Sequence, residues 1–135
     1  MRYTPTESEY AAVPRMSDGE RLDYFLTRVF ETDEVWFLKN PMRPFERSLG
    51  GTIYLPVWPY RRFASEAALE QWQDCVPSSV SLDHYLEIML AEQVSPGALI
   101  EIMPRGEAAG CVITPVRLRS ILEAMIDVGS YHLDG

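Results

Sequence analysis

The chain has 135 residues, 47% of them hydrophobic and 24% charged, with a formal net charge of -8 at pH 7. This length suits a single domain with its own core. The excess of acids argues against nucleic acid and anionic membranes as partners, because both are bound largely through Lys and Arg. No apolar run approaches the ~18 residues of a membrane helix, and residues 1–7 lack the apolar core of a secretory signal. We therefore expect a cytoplasmic protein.

The first part of the chain predicts an arm followed by a helix and a strand. Residues 1–16 are polar, carry two prolines and lack a clear period, so we interpret them as an extended N-terminal arm. Ser17 and Glu20 have the spacing of a capping box, and apolar residues at helical spacing follow, which predicts a helix over about 18–31. Residues 35–38 are apolar on both faces, as in an interior strand.

In residues 40–59, glycines and prolines predict where a loop lies and where a strand ends. Residues 40–51 contain Pro41, Pro44 and the Gly50-Gly51 pair, which predicts a loop. A second strand follows over 53–57, and Pro56 makes it an edge strand or a bulged one, because proline donates no ladder hydrogen bond. Trp58-Pro59 ends that strand.

The second half of the chain predicts three helices and further strands. Ser65 caps a helix to about Gln73 that turns Ala68, Leu69 and Trp72 inward, and Cys75 and Val76 form a very short strand. Ser81 caps a helix with an apolar stripe at positions 82, 85, 86, 89 and 90. Residues 98–103 and 110–114 form a hairpin around Gly106. Thr114-Pro115 begins a last helix, which Gly129 ends.

This order of elements favours an α+β fold, with a small and mainly antiparallel sheet of four to five strands packed with about four helices. We assign residues 17–129 to a single domain and residues 130–135 to a C-terminal tail.

The residues that carry most catalysis are scarce. His84 and His132 are the only histidines, and neither stands at zinc-ligand spacing from other donors, so we predict no metal site and no cofactor. Cys75 and Cys111 are too few for a disulfide framework, although a single bridge between them is the alternative to two thiols. Cys111 suits a buried strand, and Asp74 would raise the pKa of an exposed Cys75. We predict no catalytic residues and no enzymatic activity.

Charge is distributed unevenly along the chain. Residues 39–62 hold five cations and one acid, whereas no Lys or Arg stands between Phe63 and Pro104. Like charges that recur four apart fall on one face of a helix. The acids that we assign to such a face are Glu66, Glu70, Asp74, Asp83 and Glu87. Two interpretations stay open, a solvated face that keeps the protein soluble and a docking face for a basic protein partner.

The segment "YLPVWPYRRFA" raises a second possibility. Its aromatic residues and prolines are explained by structural roles, in core packing and in ending the strand. Packing does not explain the two arginines. They either pair with carboxylates of the domain or bind an anionic group. Trp58, Tyr60, Arg61 and Arg62 are therefore the candidate ligand pocket.

Several runs together resemble a known family. These are "DYFLTRVFETDEVWFLKN", "YLPVWPYRRFA", Trp72, "SLDHYLEIML" and "IEIMPRGEAAGCVITPVRL". They resemble a bacterial family of unknown function, domain-of-unknown-function family 2750, over about residues 22–125. The resemblance implies a compact α+β cytoplasmic protein and brings no catalytic residues. This chain departs from the family between the first two strands, where Pro and Arg replace an acidic, Gly-containing turn.

Two hypotheses for the function follow. The leading one is a non-enzymatic protein-interaction domain whose acidic face binds a basic protein, as immunity proteins bind basic toxins; this link rests on analogy. The alternative is a regulatory protein that binds a small molecule or anion in a pocket near Trp58, Arg61 and Arg62.

Overall fold

The computed structural model describes residues 3–40, 42–70, 72–104 and 111–128. The helices are α1 (Glu7–Ala12), α2 (Asp18–Thr32), α3 (Arg61–Glu70), α4 (Leu82–His84) and α5 (Pro115–Val128). A 3-10 helix, Val13–Arg15, follows α1, and a π-helix, Tyr85–Gln93, continues α4. The strands are β1 (Val35–Lys39), β2 (Arg47–Leu49), β3 (Thr52–Val57), β4 (Val76–Val80), β5 (Leu99–Ile102) and β6 (Cys111–Ile113).

The strands form a two-stranded ribbon and a four-stranded sheet. β1 and β4 pair antiparallel, and the sheet has the order β2-β3-β5-β6. Among the described strands, only the β3–β5 pair is parallel. The predicted α+β class with a mainly antiparallel sheet is therefore confirmed.

Trp36 and Trp58 join the ribbon to the sheet. The Trp36 N–H donates to the Trp58 carbonyl at 2.9 Å, and the Trp58 N–H donates to the Trp36 carbonyl at 2.8 Å. β3 thus pairs with β2 as far as Tyr54, and the chain pairs with β1 at Trp58. Pro56 falls between the two pairings, where no partner on that side needs its missing N–H. β3 lies between β2 and β5 in the sheet, but at Pro56 it pairs only with β5.

Three of the four predicted helix caps are confirmed. Ser17 and Glu20 form the expected capping box of α2, and Phe25 and Val29 are fully buried on its inner face. The Ser81 hydroxyl accepts from the amide of His84 at 3.1 Å, and the stripe at 82, 85, 86, 89 and 90 is buried. Thr114 caps α5 in the same way by accepting from the amide of Arg117 at 3.2 Å.

Two predictions in the first half were wrong. The predicted extended arm is partly helical: among residues 3–16, which the structure describes, Glu7–Ala12 is a helix capped by Thr6, and Val13 is buried. Residues 40–51 are not only a loop, because Arg47–Leu49 is a strand. Gly50 and Gly51 both have positive φ, 56° and 86°, and they make the tight hairpin that returns the chain to β3.

The helix predicted to start at Ser65 begins at Arg61 instead and ends at Glu70. Ala64 and Ala68 lie four apart and form its buried face, so Leu69 points away and is 74% exposed. The inward prediction for Leu69 was wrong. The short strand predicted at Cys75 and Val76 is a five-residue strand that begins at Val76.

Some predictions lie outside the described residues. They are the turn at Gly106, the end of the last helix at Gly129, the tail 130–135 and His132. In the described part of the chain, no helix has the length and apolar character needed to cross a membrane.

Candidate functional site: an acidic edge

The aromatic residues of the predicted ligand pocket lie in the core. Trp58 and Tyr60 are each 2% exposed. The ring of Trp58 lies 6.2 Å from that of Trp72, and the ring of Tyr60 lies 6.4 Å from that of Tyr24, measured between centroids. Their packing accounts for these side chains as parts of the fold.

The two arginines of that pocket have separate environments. Arg61 is exposed at the start of α3. Arg62 stacks over the ring of Tyr10, 3.6 Å from the centroid, and pairs with Glu7 at 3.2 Å and Glu66 at 3.7 Å. Of the alternatives left open by the sequence, Arg62 therefore takes the carboxylate pairing. The four residues do not converge on one surface.

The acids predicted to form one face are also dispersed. Glu66 accepts a 2.6 Å hydrogen bond from the hydroxyl of Tyr10, which raises the pKa of that phenol. Because α3 ends at Glu70, Asp74 lies beyond the helix and not on its face. The side chain of Glu70 lies outside the described part of the chain. The prediction of a shared helical face for Glu66, Glu70 and Asp74 was wrong.

Asp74 and Asp83 stand at opposite ends of β4. This strand has five residues, so its first and last Cα atoms are about 14 Å apart at roughly 3.4 Å per step. At the Asp74 end, Lys39 lies opposite Val76 and supplies a positive charge. Asp83 and Glu87 are exposed at the other end and beyond it.

The structure adds Asp33 to the Asp83 end. β1 and β4 pair with Val35 opposite Val80, and the Asp33 carboxylate accepts from the amide of Leu82 at 3.0 Å. Asp33 also ends α2 in the left-handed conformation, with φ 59° and ψ 33°. We call Asp33, Asp83 and Glu87 the acidic edge. All three residues are exposed.

Sequence reasoning missed Asp33 because fifty residues separate it from Asp83. Only the pairing of β1 with β4 brings the two together. The basic segment, residues 39–62, also forms an ion pair with the segment that lacks cations, residues 64–103. Arg47 pairs with Glu101, which lies in the segment that contains no Lys or Arg of its own. The acidic edge is one of the acidic surfaces that remain exposed after this internal pairing.

The thiols are free and buried. Burial raises the pKa of Cys75, and the Asp74 charge raises it further, against an opposing hydrogen bond with Asn40. Burial likewise raises the pKa of Cys111. A raised thiol pKa lowers the fraction of nucleophilic thiolate at neutral pH. Within the described ranges, no three His, Cys, Asp or Glu side chains are grouped so that they could hold a metal ion.

The comparison with known families is decisive for the identity of the domain. The model of the family "Protein of unknown function (DUF2750)" matches residues 22–122. The chain belongs to the DUF2750 family. Within DUF2750, this chain places the β1–β4 ribbon, the four-stranded sheet and α3 inside the matched region, whereas α1 precedes it. No curated protein and no solved structure matches the chain.

Proposed function

We propose that this DUF2750 protein is a non-enzymatic interaction domain that binds a basic protein partner through its acidic edge. The hydrogen bond from Leu82 to Asp33 carries the proposal, because it fixes the end of α2 against the start of α4. Two acids from distant parts of the sequence then lie on one rigid exposed edge, and Glu87 extends it by about one helical turn.

The electrostatics of the chain favour this use of the edge. Residues 64–103 contain no Lys or Arg, so the α4 side of the edge has no neighbouring cation from its own segment. Complementary charge steers association and selects against wrong partners, and salt screens it over a Debye length of about 8 Å at physiological ionic strength. An immunity protein that masks the active site of a basic toxin is the class of protein that this chemistry suits.

The experiment is a capture assay with a matched control. The tagged protein is incubated with lysate of its native host at low salt, and proteins that are released at high salt are identified and purified. Binding of the purified partner is then measured for the wild type and for Asp83→Lys/Glu87→Lys. We expect the double variant to lose the partner, because both reversals place cations on the edge.

The control reverses two exposed acids elsewhere, Asp23 on α2 and Asp127 on α5. Asp23→Lys/Asp127→Lys changes the net charge by the same amount and should retain binding. Equal losses in the two double variants would show that only net charge matters, and unchanged affinity in Asp83→Lys/Glu87→Lys would remove the edge from the interface. Turnover of a substrate by the purified protein would contradict the non-enzymatic part of the proposal.

A further inference from the structure

The N-terminal helix α1 covers a surface of the domain without being part of its core. None of the six residues of α1 is buried. An isolated helix of this length is far below the ~12–15 residues at which helices become even marginally stable in water. Side chains of α2 and α3 must therefore hold it in place.

The surface beneath α1 combines aromatic rings with two guanidinium groups. Tyr24 and Arg28 come from α2, Arg62 and Phe63 come from α3, and we call these four residues the aromatic–arginine groove. Tyr24 and Phe63 meet edge to face, with 6.4 Å between their centroids. Each guanidinium also pairs with an acid of its own helix, Arg28 with Glu31 and Arg62 with Glu66.

The contacts of α1 show what the groove recognises. Tyr10 stacks on Phe63 at 5.9 Å with an interplanar angle of 15°, and Arg62 covers the Tyr10 ring. Glu9 accepts from the hydroxyl of Tyr24 at 2.8 Å and pairs with Arg28 at 3.3 Å, while Glu7 pairs with Arg62. The groove thus takes one aromatic ring and two carboxylates from a helix with the pattern Glu-x-Glu-Tyr.

α1 leaves one donor of the groove unused. The Nε atom of Arg28 is buried, and it has no hydrogen-bond partner among the described residues. Buried donors are nearly always satisfied in folded proteins, so this N–H is a position at which a ligand acceptor would be favoured. An occupant with one more acceptor would gain a charge-assisted hydrogen bond at this atom.

From these contacts we infer that the aromatic–arginine groove is a docking site for an acidic helical segment of a separate protein, and that α1 is its intramolecular competitor. This site lies apart from the acidic edge and goes beyond the function proposed above. A helix of two or three turns with the same pattern offers more contacts than α1 does. The tether of α1 acts like a millimolar competing concentration, which such an occupant must overcome.

A separate protein fits better than a second copy of this chain. A second copy would bring the same short helix, with the same unused Arg28 donor, and its net charge of -8 would repel the first copy. It therefore has no advantage over the α1 that is already attached.

The test uses the full chain and a labelled peptide of residues 3–16 as the probe, measured by fluorescence anisotropy. In Glu7→Lys/Glu9→Lys the added cations face Arg28 and Arg62. We expect α1 to dissociate from the groove and expose it. We expect this variant to bind the peptide at least about tenfold more tightly than the wild type, in which α1 occupies the groove. Tyr10→Ala, a milder change, should give a smaller gain in the same direction.

Reversing the charges provides the matched control. Arg28→Glu/Arg62→Glu also repels α1, but it should reject the natural peptide and bind a peptide with Lys at positions 7 and 9. The site is overturned if neither Glu7→Lys/Glu9→Lys nor Tyr10→Ala binds the natural peptide better than the wild type does. Loss of the fold in both variants would also overturn it, because α1 would then be an integral part of the domain. A wild-type dimer in light scattering that the peptide dissociates would make a second copy the occupant, against our inference.

Discussion

Arg47 and Glu101 bring the two oppositely charged segments of the chain together inside the sheet. Glu101 is fully buried, and its Oε1 accepts from Nε of Arg47 at 2.9 Å, while Oε2 accepts from the second guanidinium nitrogen. The guanidinium also lies over Trp72, 5.4 Å from the ring centroid. β3 separates the strands of the two residues, so their side chains reach across it. The sequence could not predict this pair, because Arg47 lies in a stretch predicted as a loop and Glu101 lies more than fifty residues further along the chain.

Breaking this pair should be costly. Glu101→Gln leaves a largely buried guanidinium without its counter-charge, and we expect the free energy of unfolding to fall by about 3 kcal/mol. Urea denaturation followed by circular dichroism measures the loss. The exposed control Glu87→Gln should stay within about 0.5 kcal/mol of the wild type. Arg47→Met/Glu101→Met should recover most of the stability, since it buries no charge. A single-variant loss below about 1 kcal/mol would show that the pair is solvated in solution.

At the level of elements, the sequence was reliable where a local signal fixed the structure. Capping residues located three helix starts, because a cap satisfies free amides only at a defined position. They are Ser17 with Glu20, Ser81, and Thr114 with Pro115. β2 was missed because its three residues carry no alternating pattern and acquire a partner only through β3. α1 was missed because its stability comes from contacts with other elements, such as Glu9 with Tyr24 and Tyr10 with Glu66.

Two glycines in different elements should respond oppositely to alanine. Gly50 has φ 56° in the turn between β2 and β3, whereas Gly19 lies in the first turn of α2. A Cβ atom at either position would meet nothing within 4 Å, so only backbone conformation distinguishes them. We expect Gly50→Ala to lower the free energy of unfolding by about 1–2 kcal/mol, and Gly19→Ala to raise it by up to about 1 kcal/mol.

Asparagine is the control for this comparison, since it tolerates the left-handed region. Gly50→Asn should keep most of the stability that Gly50→Ala loses. Thermal unfolding of the three variants in parallel measures the order. If Gly50→Ala proves as stable as the wild type, the hairpin turn does not require positive φ at this position.

For the molecule as a whole, the sequence predicted the fold class but not the placement of its charges. Helical spacing correctly predicted the buried face of α2. It wrongly placed Glu66, Glu70 and Asp74 on one helical face, because α3 ends at Glu70. The acidic edge depends on strand pairing between residues about fifty positions apart, and no local pattern encodes that pairing.

The Trp36–Trp58 bridge predicts that the ribbon and the sheet unfold as one unit. A two-stranded ribbon is marginally stable by itself, so β1 and β4 depend on the hydrogen bonds with Trp58 and on the shared core. Tryptophan fluorescence reports on Trp36 in the ribbon and on Trp58 and Trp72 beside it, whereas far-ultraviolet circular dichroism is dominated by the helices. We expect the two urea transitions to coincide, and the calorimetric enthalpy to equal the van't Hoff enthalpy.

Trp36→Phe tests whether the backbone carries this coupling. The bridge uses main-chain groups, so the variant keeps both hydrogen bonds while it loses part of the indole packing and the 3.2 Å bond from Trp36 Nε1 to Glu34. Its midpoint should fall, but its transitions should still coincide. If fluorescence changes before circular dichroism in the wild type, the ribbon opens separately. The acidic edge would then be an unstable surface, because the register of β1 with β4 holds Asp33 beside the start of α4.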